Sequence, residues 1–376
     1  MPVLMRVLIT NTRLDGRGGT ETFTRQLARG LQSRGHTVMA YSSDAAELPR
    51  LLESDVIPVA TDLTRLAVRP DIIHAQHHLD AMSALLSLRG VPAVYHCHGA
   101  VWRESVPAHP RILEHLAVSD TLAERLAVEF SIPPDRISVL LNAVDLSRFQ
   151  PRSNPPGRPG RALVYHSRHD ARSAPVRAIA EATTRRGISL DCVGARFGRA
   201  TERPESLLQD YDLVFASGLS ALEALACGCA VVVLGRTSCG ALVGDANFDR
   251  FRRVNFSLPV NAAPPSASSI GCEIDRYDPA EVLRVSSRTR AEAGFDRLLD
   301  ALVPVYERVV ASHAGAVEDP DAESRAAAHY LRRIVPLVKM TDRLLDGQWS
   351  SPTRATSLEE LRAEVEVLRR RVETIG

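Results

Sequence analysis

The segment from Tyr211 to Leu234 constrains the fold of this chain most strongly. An apolar run, a Ser/Gly turn, a short helical stretch, a glycine and a second apolar run follow one another, which is the order of a strand–helix–strand unit in a parallel sheet. The turn leaves backbone N–H groups free where the helix begins, and such groups bind anions. The candidate anion ligands are therefore the N–H groups of Gly218, Leu219 and Ser220.

Glu223 lies one turn inside this helix. A phosphate on the N–H groups and a sugar hydroxyl on the Glu223 carboxylate would together suit a nucleotide-sugar. An ordinary turn of a βαβ unit in a parallel sheet has the same residue pattern, so the segment alone leaves both interpretations open.

The composition is that of a globular protein. Of the 376 residues, 45% are hydrophobic and 24% are charged, and the length suffices for two domains. The net charge of +1 gives no overall field that would attract nucleic acid, so no nucleic-acid partner is expected. No run of about 18 apolar residues occurs, and the short apolar run at 3–10 is a poor secretory signal, which favours a cytoplasmic location.

Several functional classes lack their characteristic motifs here. The six cysteines form no paired framework, which predicts buried, reduced thiols. The Gly-rich dinucleotide loop, the P-loop, the nucleophile elbow and the zinc-protease motif are absent from the sequence. These absences argue against NAD oxidoreductases, kinases, serine hydrolases and zinc proteases.

Strand and helix patterns alternate in two stretches, which we predict to be domains 1–150 and 161–312. Residues 151–160 are rich in proline, glycine and serine and mark a linker between them. Such alternation is typical of doubly wound parallel sheets. The predicted fold class is therefore α/β, with two Rossmann-like domains facing a cleft at the carboxyl ends of their strands. Strands of the first domain are expected at 3–10, 36–42, 71–75, 91–96, 116–119 and 136–141, and helices of the second at 175–186 and 292–312.

Residues 322–376 are predicted to form a helical tail with a short coiled coil. Pro336 is expected to kink the first tail helix, at 322–345. Within 358–372, apolar residues then repeat at a spacing of three and four for about two and a half heptads. This seam predicts a homo-oligomer or a protein partner, with packing on the same chain as the alternative. A peripheral membrane contact is a further expectation. The seam residues are Leu358, Leu361, Val365, Leu368 and Val372.

Candidate site residues in the first domain follow predicted strands. Gly18 and Gly19 come after the first strand and would let a ligand approach the backbone closely. His96 and His98 end the fourth strand, and residues two apart on a strand point to the same face. No third ligand stands at a suitable spacing, so we expect no metal site. A polar contact to the substrate is favoured, with structurally satisfied histidines as the alternative.

Arg168 and Arg172 follow the first strand of the second domain. A guanidinium at the carboxyl end of a strand can bind a diphosphate through two parallel hydrogen bonds. Lys339 is the only lysine, so arginine serves nearly every cationic role in this chain. Ordinary surface arginines are accordingly the alternative interpretation.

Short motifs in a fixed order give the chain a resemblance to the GT-B, family 4-like retaining glycosyltransferases over about residues 5–312. None of these motifs is specific alone, but their order runs through both predicted domains. The chain resembles a divergent bacterial subgroup of the family. The matching segments include Gly18–Glu21, Pro70–Gln76, His96–Gly99, Val118–Asp120, Pro133–Asp145, Ser167–Arg168, Asp191–Gly194 and Leu222–Gly228.

The resemblance implies a nucleotide-sugar donor held mainly by the second domain and an acceptor of unknown identity held mainly by the first. It implies a metal-independent reaction without a cofactor, in which Arg168 and the helix start at 218–220 neutralise the leaving diphosphate. By the same resemblance, Glu223 would bind the ribose and His98 would lie near the transferred sugar. Gly18 and Gly19 would approach the diphosphate.

Two departures from the family pattern stand out. The family has two glutamates separated by seven residues; Glu223 matches the second, but Phe215 occupies the first position. The family also has a lysine shortly after the arginine, and here Arg172 could substitute for it.

We therefore expect a retaining glycosyltransferase acting on a cell-envelope or secondary-metabolite acceptor. A catalytically silent GT-B relative that serves as a partner or scaffold is the alternative. A nucleotide-sugar epimerase fits the motif order less well.

Overall fold

The computed structural model describes residues 3–14, 18–44, 57–152, 154–201, 203–259, 264–317 and 319–349. The chain divides into two compact units. Unit 1 comprises the residues up to Ala117, Leu122–Ser138 and the residues from Pro304 onward. Unit 2 comprises Val118–Thr121 and Val139–Val303.

Unit 1 contains a seven-stranded sheet whose strand order reverses between β1 and β4, as in a doubly wound fold. The order is β3-β2-β1-β4-β5-β6-β7, and β1 pairs in parallel with both β2 and β4. Helices α1 (Gly19–Ser33) and α2 (His78–Ser87) follow β1 and β4. The strands are β1 (Arg6–Thr10), β2 (Thr37–Tyr41), β3 (Val59–Ala60), β4 (Ile72–Ala75), β5 (Ala93–Cys97), β6 (Ile112–Ala117) and β7 (Ile137–Val139).

Helix α1, which follows the first strand, has the apolar spacing of an amphipathic helix. Phe23, Leu27 and Leu31 recur at helical spacing in α1, and all three are buried. This apolar stripe packs α1 onto the sheet, while the opposite face carries the polar residues. Helix α3 (Asp120–Glu129) follows β6 and buries Leu122 and Leu126 in the same way.

Unit 2 contains a five-stranded sheet in the order β12-β11-β10-β8-β9. Here the order reverses between β8 and β10, which are parallel neighbours. Strand β12 is antiparallel to β11. The strands are β8 (Arg161–Tyr165), β9 (Ser189–Val193), β10 (Leu213–Ala216), β11 (Ala230–Leu234) and β12 (Cys239–Leu242), and the helices are α4 (Ala174–Thr184), α5 (Pro204–Leu207), α6 (Gly218–Ala226), α7 (Asp245–Arg253), α8 (Ala267–Ile274) and α9 (Pro279–Glu292).

The sheet of unit 2 is covered on both faces, so its strands are nearly continuous apolar runs. Val214 and Ala216 of β10 lie in one buried cluster with residues of α6 and α7. Leu213 and Phe215 lie in the other, with residues of α4 and α8. Alternate residues of a strand point to opposite faces, which is why neighbours in β10 belong to different clusters.

Several elements differ from those predicted from the sequence. Strands β3 and β12 and helices α7 and α8 were not predicted, because each is short and carries few periodic apolar residues. The helix expected at 292–312 is confirmed as α10 (Phe295–Ala314), whereas helix α9, which precedes it, was not predicted. Ala293 and Gly294 separate them, and Gly294 forms an isolated parallel bridge with Val144.

The unit bounds also differ from the predicted domains 1–150 and 161–312. Residues 139–150 belong to unit 2, where Val144 and Phe149 are buried in the core. The residues from Pro304 onward belong to unit 1, where the buried Tyr306 donates to or accepts from His74 Nδ1 at 2.6 Å. These long-range contacts, rather than the composition of the linker, decide the boundaries.

The first tail helix is present as α11 (Pro320–Trp349), and it continues through Pro336. It is attached to unit 1 by an ion pair between Glu323 and the buried Arg111, at 2.8 Å. Tyr330 is buried, whereas Leu331 and Val338 are more than half exposed. The predicted seam at 358–372 lies outside the described residues, so association through it stays a prediction.

No helix in the described part of the chain is both long enough and apolar enough to cross a bilayer.

Candidate functional site

The switch point of unit 2 brings two predicted site segments to the same edge of the sheet. Val164 of β8 is in register with Phe215 of β10, and the two strands end at Tyr165 and Ala216. The loop that carries Arg168 and the start of α6 therefore leave the sheet side by side. In open α/β sheets this is the place where ligands bind.

The N-terminus of α6 is open. Ser217 is the N-cap residue, and its side chain makes no capping hydrogen bond. Gly218 has φ +58°, a left-handed conformation that glycine adopts without a steric penalty. The residues from Ser217 to Ser220 are half-buried, so a ligand can reach their N–H groups. These groups have no partner within a helix, and together with the helix dipole they favour an anion.

Asn255 lies beside this helix start, and the sequence did not predict it. Its Nδ2 atom is 3.8 Å from the position that a Cβ atom would occupy on Gly218. The Oδ1 atom of Asn255 accepts a hydrogen bond from Asn142 Nδ2 at 2.9 Å, and Arg252 donates to the Asn142 carbonyl at 3.0 Å. Asn255 has φ +53°, a conformation that asparagine tolerates better than most residues. Only Asn142 stood in a motif that sequence reasoning could recognise.

Glu223 is buried one turn inside α6, and only 6% of it is exposed. Burial raises its pKa to about 8; Arg148 and Tyr165 lower it in part, and Glu205 raises it further. Arg148 is itself paired with Glu205 at 2.7 Å, so its charge is largely neutralised. At neutral pH the Glu223 carboxyl of the free protein is therefore mostly protonated.

Arg168 and Arg172 are exposed, and neither forms an ion pair with any residue that the structure describes. The backbone of their loop is well ordered by local bonds. Arg168 N donates to His166 Nδ1 at 3.1 Å, and Arg172 N donates to Asp170 Oδ1 at 2.9 Å. Gly194, at the end of β9, lets the neighbouring loop pass directly against the carbonyl of His166, since a side chain there would collide with it. The loop is thus held while both guanidinium groups stay free.

Phe215 is a core residue. Its side chain is fully buried in the apolar cluster beneath α4 and α8, on the side of β10 away from α6. A glutamate at this position would be buried among apolar side chains, which is costly. The residue that replaces the family's first glutamate therefore serves packing, and the turn at 216–220 contains no carboxylate.

The switch point of unit 1 is filled by the chain's own side chains. Thr10 Oγ1, at the end of β1, donates to the Gln76 carbonyl at 2.9 Å and accepts from its N–H at 3.0 Å. Thr12 N donates to His77 Nδ1 at 3.2 Å. His77 has φ +55°, and such strained residues are frequent at functional sites. The opposite side of the His77 ring lies 3.3 Å from the carboxylate of Glu104, and both side chains are buried.

His98 lies next to this arrangement. Its backbone N–H donates to Glu104 Oε2 at 3.0 Å, and its ring packs 4.7 Å from the ring of Phe23 in α1. Burial lowers the pKa of His98 to about 4; Glu104 raises it in part. The imidazole is therefore neutral at pH 7. Its Nε2 atom is buried and has no hydrogen-bond partner in the described ranges, so its hydrogen-bonding capacity is unused there.

A row of buried aromatic side chains supports His98 from behind. The His96 ring packs 4.1 Å from the His98 ring, and its Nδ1 is 3.3 Å from His74 Nε2. His74 in turn contacts the Tyr306 hydroxyl of α10. Burial lowers the pKa of His74 to about 3 and that of His96 well below its usual range. His96 is thus a structural histidine, and only His98 of the predicted pair is half-buried at the strand end.

Gly18 and Gly19 begin α1 at the same edge of unit 1. A side chain on Gly18 would collide with the Glu21 carboxylate, whereas the space around Gly19 is open. The Glu21 carboxylate therefore lies over the first turn of α1, where a phosphate was expected to approach. Because like charges repel, Gly18 is less suited to a diphosphate than the start of α6.

Within the described ranges, no three His, Cys, Asp or Glu side chains are grouped so that they could share a metal ion.

The family model for Glycosyltransferase Family 4 matches residues 17–148, about a third of the chain. These residues contain Gly18, Gly19, His98 and Asn142. No curated protein matches the sequence significantly.

Solved structures share the fold of about four fifths of this chain at low sequence identity. A glycosyltransferase from Rickettsia africae is 16% identical with a TM-score of 0.61, covering 82% of this chain and 99% of that one. HepE from Anabaena, solved with UDP and glucose, is 13% identical with a TM-score of 0.55, covering 83% and 100%. Sucrose-phosphate synthase from Thermosynechococcus elongatus is 15% identical with a TM-score of 0.53, covering 82% and 99%.

The predicted fold is confirmed by these similarities. The chain has the GT-B fold of glycosyltransferases, and residues 17–148 carry the sequence pattern of Glycosyltransferase Family 4.

Proposed function

We propose that this protein is a retaining glycosyltransferase that moves a sugar from a nucleotide-sugar donor to a cell-envelope or secondary-metabolite acceptor. The observation that carries the proposal is the open switch point of unit 2. Uncapped N–H groups of Gly218, Leu219 and Ser220, unpaired guanidinium groups and a buried carboxyl occur there together.

The diphosphate of the donor would bind at the start of α6. The N–H groups at 218–220 would donate hydrogen bonds to its oxygens, and Arg168 and Arg172 would supply positive charge from the neighbouring loop. Charge develops on the diphosphate as the bond to the sugar breaks, so these groups stabilise the leaving group. The reaction so described draws on no metal ion or resident cofactor.

Glu223 would bind the ribose through hydrogen bonds to its hydroxyl groups. Ionised carboxylates accept such bonds strongly, and the bonds in turn favour the ionised form. Because the pKa of Glu223 is about 8 in the free protein, binding of the nucleotide would release a proton near neutral pH. The neutral His98 would contact a hydroxyl of the transferred sugar through Nε2.

A thermal-shift screen with UDP, GDP, ADP, TDP and pyrophosphate tests the proposal. A ligand at about 100 times its dissociation constant stabilises the folded protein by about 2.7 kcal/mol. We expect one nucleoside diphosphate to raise the melting temperature clearly more than pyrophosphate does. The matching nucleotide-sugar should then be hydrolysed slowly without an acceptor.

Two results would change the conclusion. Stabilisation by a nucleoside diphosphate without turnover of any corresponding nucleotide-sugar would favour the catalytically silent relative. If none of the nucleotides stabilises the protein, the proposed donor site is wrong, and so is the proposed function.

A further inference from the structure

An open pocket in unit 1 lies between the tail helix α11 and the segment that follows His98. It contains about 280 Å³ of empty space, part of which is continuous with solvent. Trp102 belongs to a short 3-10 helix, Trp102–Glu104, which contributes one wall. Its lining includes His78, Trp102, Val106, Tyr330 and Arg333.

The buried wall of the pocket carries a histidine that is hydrogen-bonded to a tyrosine. The Tyr330 hydroxyl lies 2.7 Å from His78 Nδ1. Burial lowers the pKa of His78 to about 4, so its ring is neutral at pH 7. When Tyr330 donates to Nδ1, the ring carries its proton on Nε2. That Nε2 atom is buried and lacks a hydrogen-bond partner in the part of the chain that is described.

Arg333 supplies positive charge at the mouth of the pocket. One of its N–H groups donates to the Val106 carbonyl at 3.3 Å, which holds the side chain in place. No ion pair joins its guanidinium to a carboxylate of the described residues. The remaining N–H groups are therefore available to an anion.

Two carboxylates act on the pocket residues electrostatically, and both are engaged elsewhere. Asp80, which raises the pKa of Tyr330, accepts hydrogen bonds from the N–H and the hydroxyl of Ser43 at 2.8 and 2.7 Å. Glu104, which acts on His78, is held by His77 and by the backbone of His98.

Trp102 gives the pocket a flat apolar surface. The indole is 38% exposed, and it packs nearly perpendicular to the His78 ring with a centroid distance of 4.3 Å. Exposed aromatic surfaces beside hydrogen-bonding groups suit small molecules that have an apolar face and a polar group.

The short 3-10 helix connects the pocket structurally to His98. Trp102 begins this helix and Glu104 ends it, and the Glu104 carboxylate binds the His98 N–H. His77 and His78 are likewise consecutive, with His77 beside Glu104 and His78 beside Trp102. A ligand in the pocket would therefore contact the same short helix whose Glu104 carboxylate binds the His98 N–H.

We propose that this pocket binds the anionic group of the acceptor, which is a saccharide that carries a carboxylate or a phosphate. Only the identification of this saccharide as the acceptor rests on the proposed glycosyltransferase activity. The pocket itself selects an anionic saccharide through Arg333 and His78, with Trp102 against the sugar ring.

Tryptophan fluorescence tests this binding without any donor. The chain has two tryptophans, so Trp349→Phe leaves Trp102 as the single reporter. This variant is titrated with glucuronate, glucose 6-phosphate and glucose. We expect a saturable change with at least one of the two anionic sugars and none with glucose, and the two anionic probes distinguish a carboxylate from a phosphate.

Arg333→Gln in the same background should weaken that binding about tenfold or more, since a charge-assisted hydrogen bond is lost. Arg332→Gln is the matched control, because it removes the same charge from the neighbouring exposed position of α11 and should change affinity less than about twofold. An unchanged melting temperature of Arg333→Gln shows that α11 stays in place.

Equal responses to glucose and to the anionic sugars, equal losses in the two arginine variants, or no saturable response to any probe would each overturn the proposal. The nucleotide screen separates this failure from that of the proposed function. Nucleotide binding without probe binding would contradict only the proposal for this pocket. Probe binding without nucleotide binding would contradict the proposed transferase function.

Discussion

The two units have the same type of switch point, but one is filled and the other is open. In unit 1, Thr10 and Thr12 at the end of β1 bond directly to Gln76 and His77 after β4. In unit 2, no side chain of the described residues caps α6 at the corresponding edge, and none of their carboxylates forms an ion pair with Arg168 beside it. Topology thus selects where a ligand site can form, and the side chains decide whether that place remains available.

The two regions also respond to pH in opposite directions. Burial lowers the pKa values of His74 and His98 in unit 1 and raises that of Glu223 in unit 2. In each case burial disfavours the charged form, so both candidate sites hold neutral groups at pH 7. Unit 1 loses stability as the pH falls from about 6.5, where the unfolded histidines take up protons. Unit 2 loses stability as the pH rises from the unfolded pKa of Glu223 at 4.5 to its folded pKa of about 8.

The largest effect is expected for Glu223→Gln, which should abolish the pH dependence of the stability of unit 2. A pKa shift from 4.5 to about 8 corresponds to about 3 to 5 kcal/mol of stability lost across that range. Glutamine resembles the protonated acid and does not ionise, so the variant should keep its stability as the pH rises. Hydrogen exchange of peptides from β10 and α6, corrected for the intrinsic rate, measures this unit separately.

A wild-type unit 2 whose exchange protection is the same at pH 5 and pH 8 would contradict the high pKa of Glu223. The variant should also lose the preference for nucleoside diphosphate over pyrophosphate, because its ribose contact is weakened.

His98→Ala should abolish most turnover while leaving nucleotide affinity nearly unchanged. Loss of one hydrogen bond that acts on the reacting sugar costs about 2.7 to 4 kcal/mol in activation free energy, or roughly a hundredfold to a thousandfold in rate. His96→Gln is an informative comparison, since His96 is fully buried behind the site and should act mainly on stability. Isothermal titration with the nucleoside diphosphate and a donor-turnover assay separate the two effects. Turnover that is lost with EDTA and restored by a divalent cation would overturn the metal-independent reaction.

Arg168→Ala should weaken nucleoside-diphosphate binding by about 1.5 to 3 kcal/mol, the range of a charge-assisted hydrogen bond. Because the guanidinium is exposed and unpaired in the described structure, the melting temperature should hardly change. Arg185→Ala is the matched control, since Arg185 is an exposed arginine at the far end of α4 that forms an ion pair with Glu181. Equal affinities of the two variants would exclude Arg168 from the diphosphate site.

The smallest effect is expected for Arg253→Ala. Arg253 forms an ion pair with Asp120 at 2.5 Å within unit 2, but its side chain is 61% exposed. Exposed ion pairs contribute about 0 to 1 kcal/mol, and salt screens them. Urea unfolding at low and high ionic strength should therefore show only a small difference from the wild type. A loss above about 2 kcal/mol would mean that this pair positions the α7 region near Asn255.

Much of the second site was readable from residue order alone. The Ser/Gly turn, the glycine at 218 and the carboxyl at 223 are local features, so a strand–turn–helix pattern suffices to place them. The same holds for Phe23, Leu27 and Leu31 of α1, whose spacing follows from the helical period. The fold class and the candidate residues Arg168 and His98 rest on this local information.

Other properties depend on contacts between residues distant in the chain. Burial by surrounding elements raises the pKa of Glu223 and makes Phe215 a packing residue. Likewise, the Glu21 carboxylate lies beside Gly18, so the turn at the start of α1 is less open to a phosphate than the turn at Gly218. No periodicity encodes such environments, because desolvation and charge act through space.

The sequence by itself determined the α/β class, the order of most strands and the positions of the two candidate sites at strand ends, since all three follow from local periodicity and turn chemistry. The tertiary structure alone decided the unit bounds, the closure of one switch point and the pocket beneath α11. Two of the side-chain contacts behind these features are Tyr306 with His74 and Tyr330 with His78, and each pair is more than 200 residues apart in the chain. Contacts at such separations depend on how the whole molecule packs, and local sequence carries no record of them.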